Sequence, residues 1–340
     1  MHTDQLAALV RVLSFYLVAL VALVFFGGLL QHTLGLAGVV LSQLLIFVLL
    51  PLFFTAEVER RPLRPFLRLR MLTPGGIGRS ALLGVVGWLT AQLMGAMLVL
   101  LVRLLGGEMV HTYQMLLDAG SGPALLVGAL LPAICEELSF RGYVLGALRP
   151  LGPTAAVLLT GLLFGALHLS LVRLVPLTLL GMLWALAVQR SGSILPGMIM
   201  HLFNNGIALG LTFFVQNRTN PAELESLEAV PDAALWAAVV MLGLMATGLG
   251  VTAYQLAMGF SPRHLARPVE LEVEQDWRPR PEPARDAAAD SPEVDRLRAE
   301  LAVLHQRRRL LLGAASVLMG GMTLCIYLWA SFQELAVVFG

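Results

Sequence analysis

Residues 124–148 read ALLVGALLPAICEELSFRGYVLGAL, an apolar run with Glu136, Glu137 and Arg141 embedded in it. A hydrophobic stretch of this length is enough to cross a bilayer as a helix. Charged side chains near the bilayer centre cost about 2.5–3.5 kcal/mol apiece on insertion scales, so three within six positions imply a polar cavity lined by protein. The run therefore predicts a membrane helix that carries a function.

The rest of the chain agrees with that setting. The 340 residues are 57% hydrophobic and only 13% charged, with a mean hydropathy of +0.79, far too apolar for an ordinary soluble domain. All 23 basic residues are arginine, and the net charge of +1 excludes the basic balance of a nucleic-acid-binding protein. Two cysteines, Cys135 and Cys325, each inside an apolar block, build neither a disulfide framework nor a cysteine zinc site.

Nine blocks qualify as spans, at roughly residues 7–31, 35–55, 80–104, 124–148, 153–172, 173–190, 194–215, 233–258 and 310–335. The fold class expected is all-α, a polytopic transmembrane helix bundle of about nine spans. The first block is too long for a signal-peptide core and has no small-residue cleavage pattern, so it reads as a retained anchor. Arginine placement sets the orientation. Arg60, Arg61, Arg64, Arg68, Arg70 and Arg79 crowd the loop after span two, and ten more lie between Arg263 and Arg309. Both loops are expected on the cytoplasmic side of a cell membrane; nine crossings then put the N-terminus in the cytoplasm and the C-terminus outside. Arg173 at an outer turn runs against the trend.

Five segments follow: 1–79, two spans and a basic loop; 80–215, a core; 216–259, an outer loop and the eighth span; 260–309, a Pro/Arg-rich linker and short helix; 310–340, the last span. The outer loop, Gln216 to Asp232, carries Glu223, Glu225 and Glu228 and reads as a solvated connector with a short helix capped at Asn220-Pro221. The linker, with Trp277, Pro279, Pro281 and Pro283, cannot bury a core. From Ser291-Pro292-Glu293 it turns helical, with Val294, Leu297, Leu301 and Leu304 at three- and four-residue spacing, as an extension of the last span.

The chemistry concentrates in spans four to seven. Glu137 and Arg141, four apart, share a helical face in the order that suits an ion pair. Glu136 is rotated by about 100° and points elsewhere. Span five holds Phe164 and His168; span seven holds His201 and Asn205, one turn apart on one face. Two histidines and a carboxylate can hold zinc with an open position for water, or activate a water without metal, and spacing does not separate the two.

The ordered set Glu-Glu-x-x-x-Arg, Phe-x-x-x-His and His-x-x-x-Asn, here Glu136-Glu137-Arg141, Phe164-His168 and His201-Asn205, resembles the CPBP family of intramembrane proteases, also called the CAAX protease, bacteriocin-processing or Abi family. Glu137-Leu138-Ser139-Phe140-Arg141-Gly142 matches the usual context of its first motif. The resemblance covers roughly residues 80–215, with its core at 124–210. It implies an intramembrane endopeptidase acting on membrane-associated proteins or peptides within membrane lipids. It also implies Glu136 as the base that activates water, His168 as its assistant, His201 and Asn205 as oxyanion stabilisers, and Glu137 fixed by Arg141. No cofactor is required in that version; an older reading of the same motifs makes Glu136, His168 and His201 zinc ligands.

Ser139, Cys135 and Ser170 have no histidine base in the motif, which argues against a serine or cysteine nucleophile. An immunity factor or scaffold binding a peptide in the same cavity, without catalysis, is the alternative function. It has no need for the complete set of Glu136, His168, His201 and Asn205. A transporter would show paired broken helices in two similar halves, and no such repeat is present.

Overall fold

Inside hydrocarbon a backbone can satisfy its hydrogen bonds only as helix or closed barrel, and the long apolar runs of this chain take the first course. The computed structural model describes residues 3–107, 114–216, 232–265 and 292–339; it is an all-α bundle with no strand among them. Eight helices are long and apolar enough to cross a membrane, and the chain is a multi-pass membrane protein. They are α1 (Thr3–Leu34), α2 (Leu36–Val58), α3 (Pro74–Leu104), α4 (Ser121–Ala147), α6 (Leu171–Ser191), α7 (Leu195–Gln216), α8 (Asp232–Met258) and α9 (Pro292–Phe339).

The ninth expected span is shorter than its sequence block. Helix α5 runs only from Pro153 to Leu167, 15 residues, or about 22 Å at the helical rise, against the ~20 residues a bilayer demands. It stops because Leu169 takes a left-handed conformation, φ +52°, and Ser170 opens α6 by accepting the Arg173 N–H at 3.2 Å. Among the described residues there are therefore eight long apolar helices and one shorter apolar one, α5, and the inside–outside assignment of the termini finds no support in them. The linker helix and the last span are one continuous helix, α9. The calls on the outer loop at Asn220-Pro221, Glu223, Glu225 and Glu228, and on Trp277 and the linker prolines, lie outside the described residues.

Helix α4 is the axle of the bundle. Over its apolar window 56% of residues are buried, against 6% for α9, and it is touched by α1, α2, α5, α6 and α7. Phe140, Tyr143, Val144 and Leu145 fill its surroundings with no accessible surface to speak of. Its middle, Leu138–Val144, is wound in wide π turns, a distortion that recurs at functional positions because it re-aims side chains. Helices α5 and α6 form a tight hairpin: a methyl group on Gly165 would collide with Thr178 across the pair. Helix α3 lies against α7 and α8, and α9 packs along α1.

Candidate active site

Glu137, just before the wide-turn segment of α4, and Arg141, within it, both point into the protein, where their side chains are fully buried. Arg141 donates through one terminal nitrogen to Glu137 Oε1 at 2.7 Å and through the other to the Gly181 carbonyl of α6 at 3.2 Å. Its guanidinium lies over the Phe164 ring at 4.3 Å and the Trp184 ring at 5.1 Å, where a desolvated cation is stabilised by the faces of the aromatic rings. A buried charge left alone costs several kcal/mol, so each member of this pair depends on the other.

His201, on α7 and 3% exposed, brings its Nδ1 to the same carboxylate oxygen at 3.0 Å. A carboxylate only accepts, so Nδ1 carries the hydrogen and Nε2 faces away from Glu137. Helix α7 comes this close because Gly197 has no side chain: a Cβ there would collide with Glu137 Oε2. The imidazole is packed against Trp184 at 4.8 Å and edge-on to Phe164 at 5.9 Å.

Glu136 points the other way, as its rotation predicts. It is half-buried, and its Oε1 accepts from Gln43 Nε2 of α2 at 3.1 Å. His168 closes α5 and presents accessible surface. Its Nδ1 lies 3.0 Å from the Phe164 carbonyl; since a carbonyl can only accept, that nitrogen is the donor and Nε2 of the neutral ring keeps a free lone pair. Phe164 touches both imidazoles, His168 at 5.2 Å and His201 at 5.9 Å. The shared contact with Phe164 brings the two imidazoles to one ring.

Asn205 sits one turn beyond His201 on α7. Its Nδ2 donates to the Gly128 carbonyl of α4 at 3.1 Å, and its Oδ1 accepts from Asn204 at 3.0 Å. The amide is held in place with one N–H to spare, and Asn204 supports it. The structure joins Glu137, Arg141 and His201 in one hydrogen-bonded group, sets His168 against Phe164 beside it, and ties Asn205 to α4 at Gly128, nearer the start of that helix.

Among the described residues no group of three His, Cys, Asp or Glu side chains is gathered as a metal site, while the Nδ1 bond of His201 to Glu137 leaves its Nε2 available to a ligand. The hydroxyl and thiol candidates have other work. Ser139 donates to the Phe47 carbonyl of α2 at 3.1 Å, Ser170 caps α6, and Cys135 is buried. Gln43, Trp184 and Gly197 were not marked in the sequence, although a lone amide in the apolar run of span two is itself a warning that something polar faces it. A cavity of about 1090 Å³ between α3, α5, α6 and α8 is lined mainly by apolar side chains and holds none of the acid–base groups.

Residues 119–207 match the family described as type II CAAX prenyl endopeptidase Rce1-like. The match begins just before α4 and ends within α7, so it contains all six residues; α1, α2, α3, α8 and α9 lie outside it. No curated protein and no solved structure matches the chain.

Proposed function

The Rce1-like segment at residues 119–207 is consistent with the CPBP/CAAX intramembrane protease family, and on that premise we propose that this chain hydrolyses peptide bonds of membrane-associated proteins or peptides with a water activated by Glu136. The observation that carries the reading is the division of labour between the two adjacent glutamates. Glu137 is fully buried, with its Oε1 taken by Arg141 and His201, while Glu136 keeps accessible surface and accepts from the Gln43 amide. A general base must reach water, and only the second carboxylate meets that condition.

In this mechanism Glu136 takes a proton from the water as its oxygen attacks the scissile carbonyl carbon. The π electrons move onto the carbonyl oxygen, and the resulting oxyanion is met by the free N–H of Asn205 and by His201. For His201 to donate from Nε2 its ring must carry hydrogen on both nitrogens, Nδ1 already donating to Glu137 at 3.0 Å. Collapse of the intermediate breaks the C–N bond, and the proton held by Glu136 passes to the leaving amine, with the free Nε2 of His168 relaying it. Arg141 acts at one remove, holding Glu137 in place through its bond to Oε1. No step is routed through a metal.

The reading is tested with purified wild type and Glu136→Gln in proteoliposomes, measuring binding and cleavage of a membrane-tethered peptide, with and without a chelator. The expected result is retained binding with lost cleavage for Glu136→Gln, and cleavage by wild type that is indifferent to the chelator. Equal cleavage by the two proteins contradicts the mechanism. Binding by both with cleavage by neither favours the non-catalytic immunity or scaffold role.

A further inference from the structure

The turn that presents His168 is held from outside the Rce1-like segment. Leu169, the next residue, is left-handed at φ +52°, a conformation that costs a residue with a Cβ about 1–3 kcal/mol unless its surroundings enforce it. The enforcing group is Glu334, near the end of α9. Its Oε1 accepts from Ser170 Oγ, and its Oε2 accepts from the Leu171 N–H at 2.7 Å. Two turns earlier on α9, the Tyr327 hydroxyl donates to the Ser170 carbonyl at 3.3 Å.

These contacts suit the local electrostatics. The Leu171 N–H is one of the donors that the first turn of α6 leaves without an intrahelical partner, and a carboxylate is favoured at this positive end of the helix dipole. An ionised group in an apolar helix is expensive, as for Glu136. Glu334 offsets that cost by closing a turn two residues beyond an acid–base histidine. Helix α9 reaches this point by packing along α1, with Ser14 Oγ donating to Met319 Sδ at 3.0 Å.

We propose that Glu334 is a positioning residue for His168, so that α9, although outside the matched segment, completes the site by clamping the α5–α6 turn. The proposal rests on His168 as an acid–base group of the proteolytic site. If the clamp is lost, the Leu169 turn relaxes and the imidazole leaves its place against Phe164, while Glu136 on α4 and His201 and Asn205 on α7 stay put.

The test uses the full chain in proteoliposomes, with Glu334→Ala, Glu334→Gln and the reference Glu136→Gln. Glu334→Ala is expected to lower kcat by about ten- to a hundredfold with KM little changed, and Glu334→Gln, which keeps the shape and one acceptor oxygen, to recover part of the loss. In parallel, diethyl pyrocarbonate modification of His168, followed by peptide mass spectrometry, is expected to be several-fold faster in Glu334→Ala than in wild type, with Glu334→Gln between them. Wild-type kcat and wild-type labelling in Glu334→Ala overturn the proposal while an inactive Glu136→Gln leaves the protease reading standing. If Glu136→Gln cleaves normally, the mechanism with Glu136 as base falls and the labelling rate alone decides whether Glu334 positions His168. Should Glu334→Ala fail to fold, the double variant Ser170→Cys/Glu334→Cys, bridged by a short thiol cross-linker, replaces it: bridging is expected to raise kcat and slow His168 labelling relative to the unbridged form, and no change in either overturns the clamp.

Discussion

Glu137 Oε1 receives two donors, from Arg141 and His201, inside a space with no accessible surface. The close approach of α7 to this carboxylate depends on the absence of a side chain at Gly197. Gly197→Ala adds one methyl group that only a shift of the carboxylate or of α7 can accommodate. The expected outcome is a loss of about 1–3 kcal/mol in stability and a sharp fall in cleavage, checked by thermal unfolding in detergent alongside peptide hydrolysis; unchanged values in both would show that α7 has slack there. Glu136, Glu137, Arg141, His168, His201 and Asn205 were all legible in the sequence because charged or hydrogen-bonding groups stand out in apolar helices. Gly197, Trp184 and Gln43 were not, since their meaning lies in contacts with residues far along the chain, such as the 93 positions between Gln43 and Glu136.

Among the elements, α5 and its turn depart most from the sequence reading. The apolar run from 153 to 190 looks like two equal spans because hydropathy does not register a left-handed residue. Ser170 is the local sign that a new helix begins, as a serine whose hydroxyl accepts from the N–H three residues on. Leu169 gives the element-scale prediction. Glycine adopts φ near +52° without penalty, whereas a β-branched residue there is a steric outlier. Leu169→Gly is therefore expected to keep the turn and most of the cleavage activity, and Leu169→Ile to lower both stability and activity, the two variants differing by about 1–2 kcal/mol in unfolding measurements. The reverse order would mean that the Leu169 side chain, not its backbone, holds the turn.

At the scale of the whole molecule, a buried axle, α4, carries the chemistry, and helices outside the matched segment supply its supports. Helix α2 provides Gln43 to Glu136 and the Phe47 carbonyl to Ser139. Gln43→Leu keeps the volume and removes the amide, so it is expected to lower kcat by about tenfold while thermal stability stays near that of wild type, a split that kinetics and unfolding measured on one preparation will reveal. Loss of stability with intact kcat would make Gln43 a packing residue only. The bundle architecture was legible from long apolar blocks; the order of burial, with α4 inside and α9 at the edge, was not, because all the blocks are similarly apolar and only contacts distinguish protein-facing from lipid-facing surfaces.

The central claim is that one carboxylate, exposed enough to meet water, does what its buried neighbour cannot. Its most direct test is the single-turnover rate of peptide cleavage by Glu136→Gln against wild type, at equal amounts of folded protein in the same liposomes. The account predicts a fall of about 10²–10⁴-fold, the contribution of a positioned general base; a rate within a factor of two of wild type would contradict it.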